Sequence, residues 1–423
     1  MIDFLTLPAS PRVRLDNVTV PACLMGRPGD LVRTSIVIDG AVISSGDATS
    51  ADLGGAMLLP CFVDMHTHLD KGHIWPRSPN PDGTFMGALT TVGNDRVARW
   101  SAADVRARMD FSLRCAFAHG TRAVRTHLDS IPPQDAISWP VFSAMRETWR
   151  GRIDLQAVCL IGAEGFSADG PFRRTADLVV EHGGVLGMVT YPLPDIDARI
   201  RGFLKMAADL GLHADFHVDE TLDPASNTLR LIAEAVIDMR FDRPVTVGHC
   251  CSVSAMAERA ALVTLDIVAE AGLNVVSLPM CNLYLQDRVA GRTPRMRGIT
   301  LVHEMAARGI NVSFASDNTR DPFYAYGDMD MLEVLREATR IGHLDHSRPD
   351  WVQAVLANPA RACGFAAPAL SQGAPADLVI FRARNWNELF ARPQTDRIVI
   401  RAGRQVVRTL PDYAELDPLM ESP

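Results

Sequence analysis

The rhythm of apolar positions changes twice along the 423-residue chain. In residues 1–56, short runs such as VRLDNVTV and LVRTSIVIDGAVIS alternate apolar and polar positions between Gly and Asp turn signals. That pattern predicts small strands. Near the other end, ADLVIF and RIVIRAGRQVV repeat it. The two ends, 1–56 and 365–423, are therefore expected to pair in one small flanking β-sandwich domain. Between them, from 57 to 364, apolar β-type runs recur: AMLLPCFVDMHTH, TRAVRTHL, DLQAVCLIG, GVLGMVTY, LHADFHVDE, PVTVGHC, LNVVSLPM and INVSFASDN. Helical stretches such as ADVRARMDFSLRCAFAHG, IRGFLKMAADLG and ASNTLRLIAEAVIDM separate them. Eight strands alternating with helices over roughly 260 residues predict a (β/α)8 TIM-type barrel. A doubly wound open sheet is the alternative, but no GxGxxG follows an early strand, which counts against a dinucleotide version.

Composition narrows the function classes. Apolar residues make up 47% and charged residues 22%, so a sizeable core can form. A formal charge of −8 argues against nucleic acid as a partner, which would call for a basic face. No run of about 18 apolar residues predicts a membrane span, and the first residues lack a basic start followed by an apolar stretch. The eight cysteines are scattered without a CxxC pair, as expected of a reduced cytoplasmic protein.

Chemistry concentrates at the predicted strand ends. In such a barrel, catalytic groups sit at the C-terminal ends of the strands. Here those ends carry His66 and His68, then His217 with Asp219 and Glu220, then His249, then Asp317. Residues i and i+2 of a strand share a face, so His66 and His68 can hold one ion together. Imidazole and carboxylate suit zinc or iron(II), whereas magnesium prefers oxygen ligands. His119, His182 and His303 lie in helical stretches and are read as structural. His127, in RTHLD, is left outside the candidate set.

HTH after an apolar strand, HVDE, GHC and SDN together resemble the amidohydrolase superfamily, most closely its cytosine deaminase branch. SLPMCNLYLQDR, TPRMRGITLVHEM and SDNTRDPFYAYGDMDMLEVL carry the same resemblance, which covers nearly the whole chain. It implies His66, His68, His217 and Asp317 as ligands of one divalent metal per subunit, zinc or iron(II). It implies Glu220 as the proton shuttle and His249 as a hydrogen-bond partner of the metal's water. The chemistry agrees: a metal lowers the pKa of bound water, and the carboxylates can move protons to the ring nitrogen and the departing amine. Binuclear members commonly bridge two metals with a carboxylated lysine on a middle strand. Only Lys71 and Lys205 are lysines here, one in a loop and one in a helical stretch, so a mononuclear site is expected.

The chain also departs from the branch. Where bacterial cytosine deaminases carry a PQEG-like stretch with a pyrimidine-reading Gln, this chain has LIGAEG at 160–165. Paired aspartates become Asp317-Asn318, and the Trp after Asp-Pro becomes Phe323. Cytosine itself is therefore not the expected substrate. Candidate readers are Lys71, Trp75, Gln286, Asn318 and Phe323, with His73, Asn282, Arg320 and Tyr326 behind them. A free Lys71 or Arg320 charge would favour a carbonyl-rich or anionic ring. The expected activity is a metal-dependent deaminase releasing ammonia from a small nitrogen heterocycle related to cytosine. The alternative is cleavage of a ring amide or N-alkyl substituent; a scaffold without catalysis is disfavoured because every ligand is present. Homo-oligomerisation is expected only by analogy with large barrel enzymes. Whether the loop 71–83, with its PRSPNPDG stretch, closes over the mouth is left to the structure.

Overall fold

In a computed structural model describing residues 4–167 and 170–421, the run AMLLPCFVDMHTH splits at Cys61 into two strands with different partners. The first half is the last of five N-terminal strands: β1 (Arg12–Pro21), β2 (Leu31–Asp39), β3 (Val42–Ser44), β4 (Thr49–Asp52) and β5 (Met57–Pro60). The second half begins the parallel set: β6 (Phe62–Thr67), β7 (Thr121–Asp129), β8 (Asp154–Leu160), β9 (Leu186–Thr190), β10 (Ala214–Val218), β11 (Val245–His249), β12 (Asn274–Ser277) and β13 (Asn311–Phe314). Three C-terminal strands follow: β14 (Leu378–Phe381), β15 (Ile398–Arg401) and β16 (Arg404–Gln405).

Each of the eight predicted central runs supplies one parallel strand. β6-β7-β8 form one arc and β9 to β13 another. Bridges at Val158–Val185 and Gly162–Val189 link β8 to β9 at one seam. At the other, Thr67 of β6 bridges Asp317, three residues beyond the end of β13. Helices cover the outside in chain order: α1 (Phe85–Arg99) and α2 (Ala102–His119), then α3 (Asp135–Thr148), α4 (Pro171–Glu181) and α5 (Ile196–Leu210). α6 (Thr228–Met239), α7 (Glu258–Glu270) and the short α8 (Pro279–Leu285) come next, then α9 (Val302–Ala307), α10 (Met331–Gly342) and α11 (Ala357–Cys363). Among the described residues, no helix is long and apolar enough to cross a membrane.

Local chemistry sets the boundaries. The Ser101 side chain accepts the Asp104 N–H and starts α2. Gly120 ends it in a left-handed turn at φ 93°, where an added Cβ would lie 2.4 Å from Val379. Glycine is needed there for both the turn and the close approach.

Both chain ends build one eight-stranded sheet in the order β16-β15-β14-β5-β1-β2-β3, with β4 beside β1. Its strands obey the two-residue period. Leu58, Leu378, Ile380, Ile398 and Ile400 join Val13, Leu15, Val18 and Val20 in a separate apolar cluster. Their neighbours Met57, Leu59, Val379, Phe381 and Val399 face the main core. A bulge between Leu15 and Val18, with Asn17 at φ 57°, restores the inward face after one extra residue.

A buried ion pair ties the terminal sheet to the helices. Arg397, just before β15, makes two parallel bonds of 2.7 and 2.6 Å to Asp330 and donates to the His119 carbonyl. Asp330 also caps α10 through the Leu332 N–H. Burial alone would raise the Asp330 carboxyl, but Arg397 and His119 hold it well below the usual carboxylate range. A depressed folded-state pKa gives stability that is present above the unfolded value, near pH 4, and is lost as pH falls through the folded value. Arg397→Met is expected to cost about 3–5 kcal/mol in chemical denaturation at neutral pH, because it leaves a buried carboxylate without its partner. The variant should also show a shallower acid dependence below about pH 4 than the parent chain. Equal stability at pH 7 would remove this pair from the link.

Candidate active site

Polar residues face inward on the parallel strands at alternate positions. Asp64 and His66 come from β6, Arg125 and His127 from β7, Asp215 and His217 from β10, and Thr246 from β11; all are buried. Their odd-numbered or even-numbered neighbours, such as Val124, Phe216 and Val247, pack beneath the helices. Gly248 lets the strands come close: an added Cβ would lie 3.1 Å from the His66 ring.

At the C-terminal strand ends, four candidate ligands meet. His66 Nε2 and His217 Nε2 face each other at 3.1 Å. Asp317 Oδ1 lies 3.2 Å from His68 Nε2 and 3.6 Å from His66 Nε2. Burial, reinforced for His66 and His217 by neighbouring imidazoles and for His68 by Lys71, holds all three histidines well below the ordinary imidazole pKa. They are therefore neutral with lone pairs available, the form that binds metal. Burial raises Asp317 to about 7, and Asp321 reinforces the shift. A cluster of bare nitrogens around a carboxylate in a dry interior fits one divalent cation, which would satisfy what the protein alone leaves unpaired. Overlapping groups, His66-His68-His127-His217 and His66-His249-Asp317, place their donor atoms within 4.8 Å of one another.

Backbone strain aims the remaining groups. Asp219, His249, Cys250 and Asp317 all have positive φ, at 45°, 67°, 52° and 61°; the first three sit at the ends of β10 and β11, and Asp317 lies three residues beyond β13. Such conformations are uncommon outside glycine and concentrate where function needs a side chain turned. Asp219 secures its turn by accepting from Ser226, Thr228 and the Leu229 N–H. This sets Glu220 toward Asn282, whose amide donates to Glu220 Oε1 at 3.1 Å and also lies 3.0 Å from His249 Nδ1. Burial first, and Asp317 second, raise Glu220 well above a normal carboxyl. Burial lowers His249 to about 3.

The expected substrate readers are differently employed. Gln286 donates to the Glu220 carbonyl at 3.1 Å. Asn318 donates to Asp321 at 2.7 Å and faces the Cys281 thiol. Lys71 forms a 3.0 Å ion pair with buried Asp129, which also holds Arg96, and stands 5.4 Å above the Phe323 ring. Its ammonium is thus tied to a carboxylate that it shares with Arg96, which opposes the idea of a free Lys71 selecting an anionic ring. Arg320 stacks on Tyr413 at 4.0 Å. His73 packs against Phe111, away from the ligand cluster. Trp75 is half-buried and donates its backbone N–H to the Arg320 carbonyl. Tyr326 is 64% exposed within a triangle with Tyr284 and Tyr324. The loop 71–83 is bound to its neighbours: His73 N–H reaches the Thr319 carbonyl, Asn80 the Pro322 carbonyl, and Arg77 both Asp95 and Asp104.

Two residues outside the candidate set lie in the site. Cys281 brings its thiol close to Glu220 and Asp317. His127 stands 4.0 Å from the His66 ring, centroid to centroid. Its signal was present in the sequence, since Arg125-x-His127 shares the i, i+2 spacing of His66-x-His68. Lys71 and exposed Lys205, which pairs with Asp209, both lie off the parallel strands.

Parallel strands ringed by helices, with three imidazoles and a carboxylate at their C-terminal ends, define a metal-dependent hydrolase site. A model of the amidohydrolase family matches residues 171–407. Pterin deaminase from Rhizobium rhizogenes is 51% identical over 99% of both chains. The structure of 5-methylcytosine deaminase from Klebsiella pneumoniae liganded with 5-fluorocytosine superimposes with a TM-score of 0.80 at 25% identity, covering 94% of this chain and 97% of that one. N-isopropylammelide isopropylaminohydrolase from Burkholderia multivorans gives 0.73 at 26% identity, covering 94% and 99%. The chain belongs to the amidohydrolase family. It is a metal-dependent deaminase acting on a carbon–nitrogen bond of a heterocycle.

Metal-stripped protein should melt at a lower temperature than protein reloaded with zinc(II), because a cation that binds only the folded cluster shifts the folding equilibrium. Scanning calorimetry with and without the ion checks this; coincident transitions would rule out a cation site here.

Proposed function

We propose that this chain is a pterin deaminase, removing the exocyclic amino group of an aminopyrimidinone ring fused to a second ring. Two facts support the reading: the convergence of His66, His68, His217 and Asp317 beside Glu220, and full-length 51% identity to a pterin deaminase. His66, His68, His217 and Asp317 would hold one zinc or iron(II) ion, and the absence of a lysine on the parallel strands supports a single ion. When bound, such an ion makes hydroxide available near neutral pH by lowering the pKa of water.

The chain's own groups then handle protons. Glu220, kept neutral by burial and by repulsion from Asp317, carries a proton it can give to the ring nitrogen beside the attacked carbon. That transfer lowers the cost of losing aromaticity. Asp317 accepts a proton as water attacks and passes it to the departing amine. Asn282 joins Glu220 to His249, so acid and imidazole keep a fixed separation while the proton moves. Gln286 and Asn282 serve to hold Glu220, leaving Phe323 and Trp75 as candidate ring contacts.

In this reading the eight parallel strands act as a closed barrel and the terminal sheet as a sandwich. The proposed division is 1–56 with 365–423 around 57–364, with β5 extending the terminal part to Pro60. Eight unpaired cysteines support a reducing, cytoplasmic setting.

Ammonia release from pterin, against cytosine, purine and triazine controls, tests the substrate class. Release from pterin at a rate at least tenfold above cytosine is expected; an alkylamine or a ring-opened acid as product would instead favour the N-alkyl or ring-amide reaction. Glu220→Gln should keep the metal yet lose at least about a hundredfold in turnover, the scale of acid–base contributions. Near-normal turnover would remove Glu220 from proton transfer.

A further inference from the structure

Beneath the ligand cluster the barrel interior departs from an apolar filling. Arg125 extends across it and donates to Asp215 Oδ2 at 2.9 Å. It also donates to Gln156 at 2.6 Å and Thr246 at 3.3 Å. The other Asp215 oxygen meets His127 Nε2 at 3.1 Å. These side chains come from β7, β8, β10 and β11, so the chain of bonds spans the interior. Arg125, His127 and Asp215 are each at most 1% exposed.

The bonding fixes a tautomer. A carboxylate already engaged by a guanidinium accepts and does not donate, so His127 must give its Nε2–H to Asp215. In a neutral ring so bonded Nδ1 is a bare lone pair; it is buried without a hydrogen-bond partner. The ring that carries it lies 4.0 Å from His66, 4.7 Å from His217 and 5.5 Å from His68, centroid to centroid. A buried lone pair without a donor is costly unless positive charge lies nearby.

We propose that Arg125, Asp215 and His127 form a buried relay that positions the metal ligands: His127 is a positioning residue whose Nδ1 lone pair backs the inner side of the cation site. Asp215 orients the imidazole, as carboxylates commonly do for histidines at metal sites, and Arg125 orients Asp215. Arg125-x-His127 on β7 and Asp215-x-His217 on β10 are i, i+2 pairs, so on each strand the first residue lies deeper in the interior and the second, His127 or His217, reaches the ligand cluster. The inference rests on the ligand assignment given above.

Two variants test it, His127→Phe and Asp215→Asn. His127→Phe keeps an aromatic ring in place and removes both nitrogens. Asp215→Asn keeps the shape but can donate to Nε2, which would move the His127 proton to Nδ1 and point it at the cation. Cobalt(II) affinity is measured by chelator competition, together with the visible absorption spectrum of the cobalt-loaded protein. Both variants are expected to weaken cobalt binding by at least about tenfold and to alter the spectrum, the scale found when supporting partners of metal ligands are lost. If the folded variants bind cobalt within about twofold of the parent with an unchanged spectrum, the relay is overturned. Should Asp215→Asn fail to fold, His127→Phe alone decides. His217→Ala is the control: if the parent fails to bind cobalt, or this variant binds it as tightly as the parent, the ligand assignment falls and the relay with it.

Discussion

Burying unprotonated imidazoles and carboxylates inside an eight-stranded frame is the constraint that organises this molecule. A polar group taken from water must find a partner, and a charge must find an opposite one. His66, His68, His217, His249 and Asp317 are each no more than 6% exposed. Desolvation keeps the imidazoles neutral and makes Asp317 and Glu220 reluctant to ionise. The same desolvation that would destabilise an isolated core makes the cluster receptive to a cation and its carboxyls able to carry protons.

Geometry at the strand ends converts that chemistry into an oriented site. A straight strand would send Glu220, His249 and Asp317 onward along its axis. Left-handed backbone at Asp219, His249 and Asp317 turns the chain instead. The turns are held by specific bonds: Asp219 to the start of α6, and the Asp317 N–H to the His66 carbonyl. Loops after β6 and β13 then fasten to each other through His73–Thr319 and Trp75–Arg320 backbone bonds. This side of the rim is thus built from two distant parts of the chain, the loops after β6 and β13.

The region expected to recognise substrate shows how polar groups are reassigned by folding. Amides at 282, 286 and 318 look free in the sequence. In the structure each is already committed: Asn282 to Glu220 and His249, Gln286 to the Glu220 backbone, and Asn318 to Asp321. Lys71 is paired with Asp129, a residue at the end of another strand. Satisfying buried donors takes precedence over leaving them for a ligand, because an unpaired buried donor costs more than a typical hydrogen bond contributes.

The sequence by itself determined the eight parallel strands, the pairing of the chain ends, and the four candidate ligands with Glu220. Those features are encoded locally, in two-residue and helical periods and in residue types at strand ends. It missed the break at Cys61, because one continuous apolar run serves equally for a strand in the terminal sheet and one in the barrel. It also left out His127: the i, i+2 spacing with Arg125 was there to read in RTHLD, but it does not say which face of the strand is the inner one. Only tertiary structure decided that His127 lies over Asp215 and beside His66, residues 88 and 61 positions away, and that Lys71 is paired with Asp129. Contacts between distant strands depend on strand order and register, which no short stretch of sequence carries.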